Sequence, residues 1–270
     1  MNRLEKENSH PRDRHIVLDK EEHKYSINGD TGYISVTKLV HEQFEDFDPD
    51  LAIDRMMKSK KWKEGHKWWG WSREALKEEW NKIKLETSED GKSLHTKIES
   101  YINNSELKYP YRFRDLPQNM EDLEWNYFLN FVKTFPDLIP YRTEWKIYHE
   151  EAKVAGSIDL LCRIGDTDLF ILLDYKRCKL IMMDNLYKKF SNNPILKHLA
   201  DNNFTHYALQ QNIYRFILSE KYGINIIKMM LVKIHPNATN FELFEVPDLS
   251  KEIFDLFEQR KGKILFDGTL

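Results

Sequence analysis

The chain has 270 residues and a formal net charge of −3, with 41% hydrophobic and 31% charged residues. This near balance of charge excludes a polycation that coats nucleic acid by bulk electrostatics, and the length suits a soluble globular protein with one large core. The two cysteines, Cys162 and Cys178, exclude a disulfide framework and a four-cysteine cluster, so we expect a reducing intracellular compartment such as cytoplasm, nucleus or viral factory.

The N-terminal part of the chain is predicted to carry a β-hairpin and a helical segment. Residues 1–14 mix acidic with basic side chains and contain proline, which suits a flexible tail and makes a poor transit peptide. Residues 15–40 have strand-like composition on both sides of the turn sequence Asn28-Gly29-Asp30. Residues 50–104 have helical spacing, which Glu89-Asp90-Gly91 is expected to interrupt.

The rest of the chain alternates strands and helices. The predicted elements are a helix at 121–135, strands at 143–150, on both sides of residues 165–168, at 226–236 and at 241–247, and helices at 207–222 and 250–264. This order predicts an α/β fold, with a central mixed sheet of about five strands, flanking helices and an N-terminal helical elaboration. We expect residues 15–140 to cap a core of residues 141–270 in one compact unit, with no membrane span.

The most informative stretch runs from Val154 to Lys179. Two apolar runs flank the turn sequence Gly165-Asp166-Thr167-Asp168, as in a hairpin of two antiparallel strands. If this loop is symmetric, Asp159 lies directly opposite Asp174, with Cβ atoms about 4.5–5.5 Å apart. Lys176 follows Asp174 by two residues on a strand and therefore points to the same face.

Two facing carboxylates inside an apolar hairpin require compensation. Like charges directly opposite each other destabilise a sheet, and a hard cation with oxygen ligands would remove that cost. The sequence therefore predicts a carboxylate pair, a divalent metal and an ammonium group in one pocket. The alternative is a surface hairpin in which Asp159 and Asp174 alternate outward, which would need a slip of one residue in the strand pattern.

These residues resemble the RecB-like branch of the PD-(D/E)xK nuclease superfamily. The motifs that match in order and type are Gly156-Ser157-Ile158-Asp159, Asp174-Tyr175-Lys176 and Gln210-xxx-Tyr214, with Leu94-His95 and Ile98-Glu99 upstream of them. The layout over about residues 20–245 is most similar to the group that contains the mitochondrial genome maintenance exonuclease and its viral and phage relatives. The resemblance implies a restriction-endonuclease-like core and hydrolysis of DNA.

The resemblance also implies roles for individual residues. Asp159, Asp174, the backbone carbonyl of Tyr175 and His95 would ligate Mg²⁺ or Mn²⁺, and the histidine favours tolerance of manganese. Lys176 would stay protonated and stabilise developing charge on the phosphorus, with Glu144 as a supporting acid. Neither an iron–sulfur cluster nor a nucleotide cofactor is expected, because the cluster cysteines and a GxxxxGK[ST] motif are missing from the sequence.

Several residues have two interpretations at this point. Gln210 and Tyr214 share a helix face and could bind a phosphate or base, or could tie their helix to a sheet edge. Ser157 and Arg177 are expected to contact nucleic acid, although a charge at a strand end is often simply solvated. Glu99 could orient His95 from one helical turn away, or could be solvated, and Glu144 could equally be an exposed strand charge.

Tryptophans and lysines alternate between residues 58 and 80. Aromatic rings mixed with lysines hold single strands in sequence-indifferent proteins, so we expect a partner with single-stranded DNA ends and an exonuclease; the alternative is that the tryptophans pack the helical cap onto the sheet. Two other functions stay open: a metal-dependent RNA endonuclease of the cap-snatching type, and a non-catalytic nucleic-acid-binding protein on a nuclease fold.

Overall fold

The computed structural model describes residues 2–19, 21–22, 24–103, 106–119 and 121–267. Within this part of the chain, helices flank a central six-stranded mixed sheet, which confirms the predicted α/β class. The strands described are β1 (Ile16–Asp19), β2 (Lys24–Ile27), β3 (Ile34–Ser35), β4 (Leu138–His149), β5 (Val154–Ile164), β6 (Leu169–Lys176), β7 (Asn225–Lys233) and β8 (Glu242–Glu245). The α-helices described are α1 (Arg3–Glu7), α2 (Val36–His41), α3 (Pro49–Met57), α4 (Arg73–Asn103), α5 (Leu123–Thr134), α6 (Asn203–Tyr222) and α7 (Ser250–Asp267).

The strand β5 is the centre of the sheet. Antiparallel β4 pairs along one of its edges, and the other edge is shared by parallel β3 and antiparallel β6. Because β3 pairs with Val154 and Ala155 while β6 pairs with Leu160 to Arg163, residues 156–159 have no strand partner on that edge among the described pairs. The sheet edge is therefore open beside the motif Gly156-Ser157-Ile158-Asp159. On the far side β6 pairs with parallel β7, and β7 with antiparallel β8.

Alternation along β5 and β6 sends side chains into two cores. Leu161 and Leu172 pack in the core under α2, α6 and α7, while Leu160 and Leu173 pack in the core under α4 and α5. Burying each such side chain contributes roughly 1.5–3 kcal/mol, so both faces hold the sheet. None of the described helices combines the length and the apolarity needed to cross a bilayer.

The helix α6 lies over the open edge of β5. Its N-cap, Asn202, accepts a hydrogen bond from the backbone N–H of Thr205, and the helix ends at Gly223 with a left-handed φ of 66°. Leu209 and Ile213 on one face of this helix are fully buried. The helix is thus fixed at both ends and along one face, which gives its other side chains defined positions near the open edge.

The residues that follow Ile34 and Ser35 were expected to continue as a strand, and this prediction is wrong. Ser35 instead caps α2, because its side chain accepts a hydrogen bond from the backbone N–H of Lys38. The turn at Asn28 and Gly29 exists, with φ values of 51° and 85°, but β2 pairs with β1 rather than with the chain beyond the turn.

The expected break at Glu89-Asp90-Gly91 is also wrong. A continuous helix of 31 residues, α4, passes through these three residues. A glycine inside a helix costs only about 0.5–1 kcal/mol, and buried Leu94 and Ile98 in the following turns anchor the helix against the core. Because α4 is continuous, His95 lies in the middle of a rigid helix and has a fixed position.

Residues 2–14 do not form the flexible tail that was expected for 1–14, and Met1 lies outside the described residues. Leu4 of α1 is fully buried, and its backbone N–H donates to Asn103 Oδ1 at 3.0 Å. A 3₁₀ helix follows, and there Asp13 forms an ion pair with Arg142 at 2.7 Å and accepts from Trp145 Nε1 at 2.8 Å. The docking depends on tertiary partners at least 99 residues away in the sequence, and a local sequence pattern cannot predict such contacts.

Candidate metal centre

The strands β5 and β6 separate where the two aspartates lie. The pairing from Leu160 with Leu173 to Arg163 with Phe170 has the predicted register, and continuing it would place Asp159 opposite Asp174. The described ladder ends one residue earlier, and the backbone N–H of Tyr175 donates to Asp159 Oδ2 at 2.9 Å instead. The divergence leaves room for side chains from other elements between the strands.

Three side chains from three elements meet in this opening. His95 Nδ1 of α4 lies 3.5 Å from Asp159 Oδ2 of β5 and 3.6 Å from Glu144 Oε1 of β4. One potential ligand atom from each of these residues lies within 4.8 Å of the other two. His95 Nε2 donates to the carbonyl oxygen of Tyr175 at 3.0 Å, which fixes the ring so that Nδ1 faces the carboxylates. We call His95, Glu144 and Asp159 the metal cluster.

Glu144 enters the metal cluster through an unusual backbone conformation. Its φ is 45°, a left-handed value that costs a residue with a Cβ roughly 1–3 kcal/mol. The neighbouring pairs of β4 and β5 place Glu144 across from Asp159, and Ser157 Oγ donates to Glu144 Oε2 at 3.3 Å. Strain of this kind persists where surrounding structure enforces it, and such positions concentrate at functional sites.

Lys176 and Asp174 form a second group beside the metal cluster. Lys176 Nζ lies 2.6 Å from Asp174 Oδ2 and donates to Gln210 Oε1 at 3.5 Å. The same ammonium lies 4.7 Å from the ring centroid of Tyr207 on α6. The sequence interpretation missed Tyr207, although its position one helical turn before Gln210 was a usable signal.

Burial and charge shift the pKa values of His95, Asp159, Asp174 and Lys176. Burial raises the pKa of Asp174 to about 6 against the opposing effect of Lys176, and burial also raises the pKa of Asp159. For His95, burial acts to lower the pKa, but Asp159 and Glu144 outweigh it and raise the pKa to about 9. Burial likewise opposes charge on Lys176, yet Asp174 and Asp159 raise its pKa above the ordinary value, so the ammonium is charged at neutral pH.

The metal cluster fits a divalent cation. An imidazole and two carboxylates are donors that first-row divalent ions accept, and a cation would neutralise the same carboxylates that now favour a proton on His95. The set differs from the predicted one. Asp174 is paired with Lys176, the Tyr175 carbonyl accepts from His95, and Glu144 completes the closely spaced group.

Gln210 and Tyr214 lie together as predicted, but with a structural role for the phenol. Gln210 Nε2 donates to the Tyr214 hydroxyl at 3.1 Å, and Tyr214 is buried. A Cβ on Gly156 would lie 2.6 Å from Tyr214 Cε1, so this ring fills the open edge of β5. Burial of the ring favours the second of the two open interpretations, in which Tyr214 ties its helix to the edge of the sheet.

Arg177 and Glu99 take structural positions too. Arg177 forms ion pairs with Glu124 at 2.8 Å and with Asp90 at 2.8 Å, which join the end of β6 to α5 and α4 instead of leaving the guanidinium for nucleic acid. Glu99 Oε1 accepts from Asn2 Nδ2 at 3.0 Å and so holds the N-terminal segment, whereas the His95 ring is held by Tyr175.

No protein-family model matches the chain, and no curated protein matches it. Among solved structures, the crystal structure of SSO0001 is similar over 96% of this chain and 80% of that chain, with 16% identity and a TM-score of 0.33. A likeness this distant carries no argument about fold or function.

A polar cleft of about 860 Å³ gives access to the metal cluster. Its walls come from α1, the 3₁₀ helix after it, α4 and β4, and its lining includes His95, Glu144 and Ser157. The cleft therefore reaches two residues of the metal cluster, His95 and Glu144, whereas Asp159 lies outside its lining.

Proposed function

We propose that this protein is a metal-dependent nuclease that hydrolyses phosphodiester bonds of DNA, working from single-stranded ends. The observation that carries the proposal is the metal cluster of His95, Glu144 and Asp159 beside the Lys176–Asp174 pair. The motif resemblance to the RecB-like branch of the PD-(D/E)xK superfamily agrees with this placement, because the matched motifs supply two of the cluster residues and the lysine.

The bound ion would be Mg²⁺ or Mn²⁺, held by His95, Glu144 and Asp159. Such an ion polarises a phosphoryl oxygen and lowers the pKa of bound water. The imidazole donor tilts the preference toward manganese, because Mg²⁺ favours oxygen ligands.

Lys176 supplies the positive charge that phosphoryl transfer requires. The Lys176 side chain is only 17% exposed. Its ammonium forms an ion pair with Asp174 and donates a hydrogen bond to Gln210 of α6. A fixed ammonium in a partly desolvated site stabilises charge that develops on phosphoryl oxygens without having to reorganise. Asp174 fixes the position of the ammonium, and Tyr214 fixes Gln210 in turn.

The preference for single-stranded DNA ends rests on the aromatic and cationic segment 58–71, since its rings can stack only on unpaired bases. A second candidate is a metal-dependent RNA endonuclease, which the histidine in the metal cluster favours because enzymes of the cap-snatching type combine a histidine, acids and a lysine in the same way. Cleavage of RNA in preference to DNA would select it.

The test uses end-labelled single-stranded and double-stranded DNA, and RNA of the same sequence, with each end free or blocked, in Mg²⁺ or Mn²⁺. We expect wild-type protein to degrade DNA with a free single-stranded end and Lys176→Ala to lose about 10²-fold to 10³-fold in rate while keeping its fold. Lys179→Ala is the matched control, since Lys179 is an exposed lysine three residues further on. Full cleavage by the Lys176 variant would remove this residue from the mechanism.

A further inference from the structure

A second cleft of about 790 Å³ is lined by the C-terminal end of α2, by α3 and by His206 near the start of α6. We call it the aromatic cleft and define it by the rings on its walls: Phe44, Phe47, Trp80, Tyr187 and His206. Phe47 and Tyr187 are 73% and 71% exposed. Large rings at this level of exposure, gathered around one concavity, mark a binding surface.

The rings form two pairs. Phe44 and His206 have centroids 4.1 Å apart with planes tilted by 35°, and Phe47 and Trp80 have centroids 6.1 Å apart. Phe44 is buried in the core, so the rings that present open faces to a planar group are Phe47 and Tyr187. The volume of the cleft is within the range of small-molecule sites.

The aromatic cleft is lined by four acids, Glu45, Asp46, Asp48 and Asp201, and by three cations, Arg55, Lys61 and Lys189. Glu45 pairs with Lys189 at 2.6 Å, and Asp201 accepts from His206 at 3.0 Å. The cleft therefore suits uncharged bases, and phosphates need a cationic surface outside it.

The segment Lys58–Trp71 supplies a cationic surface beside the aromatic cleft, and its Lys61 is in the cleft lining. Its lysines are Lys58, Lys60, Lys61, Lys63 and Lys67, and the ion pairs of the described chain include none of them. Glu64 is the one acid in the segment. The segment is therefore strongly positive in a chain of net charge −3, and Trp69 and Trp71 add rings that are 47% and 42% exposed.

The aromatic cleft lies close to the candidate metal centre. His206 on its wall precedes Tyr207, whose ring contacts the Lys176 ammonium. Trp80 and His95 lie on the same helix, α4, fifteen residues apart, which is about 22 Å along the helix axis at about 1.5 Å per residue. A strand of several nucleotides spans that distance.

We propose that the aromatic cleft binds unpaired bases of single-stranded nucleic acid while the lysines of segment 58–71 contact its phosphates. Rings with adjacent lysines suit a polymer that carries flat bases on an anionic backbone, and a duplex keeps its base faces stacked away from such rings. The identity of the ligand as nucleic acid rests on the proposed function, but the binding itself requires no metal.

The test measures the affinity of a labelled single-stranded oligothymidylate by fluorescence anisotropy in EDTA, so that no cleavage occurs. We expect the double variant Phe47→Ala/Tyr187→Ala to bind at least about tenfold more weakly than wild type. The reason is that the loss of one stacked base weakens binding by about tenfold. Both side chains are exposed, so their loss leaves the cores intact. Phe254→Ala is the matched control, because Phe254 is 53% exposed on α7 and lies outside the cleft lining.

The outcomes separate this inference from the nuclease proposal. Binding that falls in the double variant supports the cleft even if wild-type protein cleaves nothing in Mn²⁺. Normal binding by the double variant, no binding of the oligothymidylate by wild type, or equal affinity for a duplex of the same length would overturn the cleft even if DNA is cleaved.

Discussion

Replacing Gly156 by alanine tests whether the open edge of β5 is filled as described. The added Cβ would lie 2.6 Å from Tyr214 Cε1 and 2.9 Å from Val36 Cγ2, both side-chain atoms of buried residues. Neither ring nor β-branched side chain can swing away inside a packed core. Overpacking of this kind costs roughly 1–3 kcal/mol. Since about 1 kcal/mol shifts the melting temperature by 2–4 °C at this chain length, we expect a Tm about 2–12 °C lower.

Urea unfolding followed by circular dichroism measures the effect on the free energy of unfolding. Gly91→Ala is the control with the opposite sign, because Gly91 lies inside α4 with nothing within 4 Å of an added Cβ. Alanine there should stabilise the helix by about 0.5–1 kcal/mol. If Gly156→Ala were as stable as wild type, the contact between Tyr214 and β5 would be wrong, and with it the fixed position of Gln210.

Three further predictions concern residues around the candidate site. Burial acts to raise the pKa of Asp13, but its hydrogen bond with Arg142 outweighs burial, so the pKa in the folded protein is lowered. The ionised carboxylate therefore stabilises the folded state at pH values above the unfolded pKa of about 4. This stabilisation is lost as the pH falls through the lower pKa of the folded state. The difference in unfolding free energy between wild type and Asp13→Asn should therefore shrink between pH 7 and pH 3, and a constant difference would contradict the ion pair. Tyr207→Leu should slow DNA cleavage several-fold while Tyr207→Phe keeps the rate, because a ring beside an ammonium contributes about 0.5–2 kcal/mol; equal losses would exclude the ring contact. Arg177→Ala should lower stability by on the order of 1 kcal/mol through the loss of its ion pair with Glu124, without changing the salt dependence of DNA binding, and a smaller salt slope would return Arg177 to the nucleic-acid interface.

The hairpin shows what a local pattern can predict. Apolar runs around a short polar loop set the register of β5 and β6, and four observed pairs have that register. The same pattern could not predict that the ladder ends at Leu160 and Leu173, because the separation depends on α6 packing against Gly156. The prediction that Asp159 faces Asp174 assumes that the two strands stay paired as far as these residues.

The composition of the metal cluster was harder to predict. The sequence left two interpretations of Glu144 open, a supporting acid or an exposed charge. Its left-handed φ depends on contacts with β5 that the sequence of β4 does not encode. The two interpretations of Tyr214 stayed open because helix spacing predicts which residues share a face but does not predict how deeply they are buried. The docking of residues 2–14 depends on Arg142 and Trp145, which lie far along the chain.

Calorimetric titration with Mn²⁺ tests the central claim, that His95, Glu144 and Asp159 hold one ion. We expect wild-type protein to take up one Mn²⁺ at this site, Asp159→Asn and Glu144→Gln to lose that uptake, and Asp168→Asn, which changes an exposed acid of the hairpin loop, to bind as wild type does. Uptake that is unchanged in both cluster variants, or missing from wild-type protein, would contradict the claim.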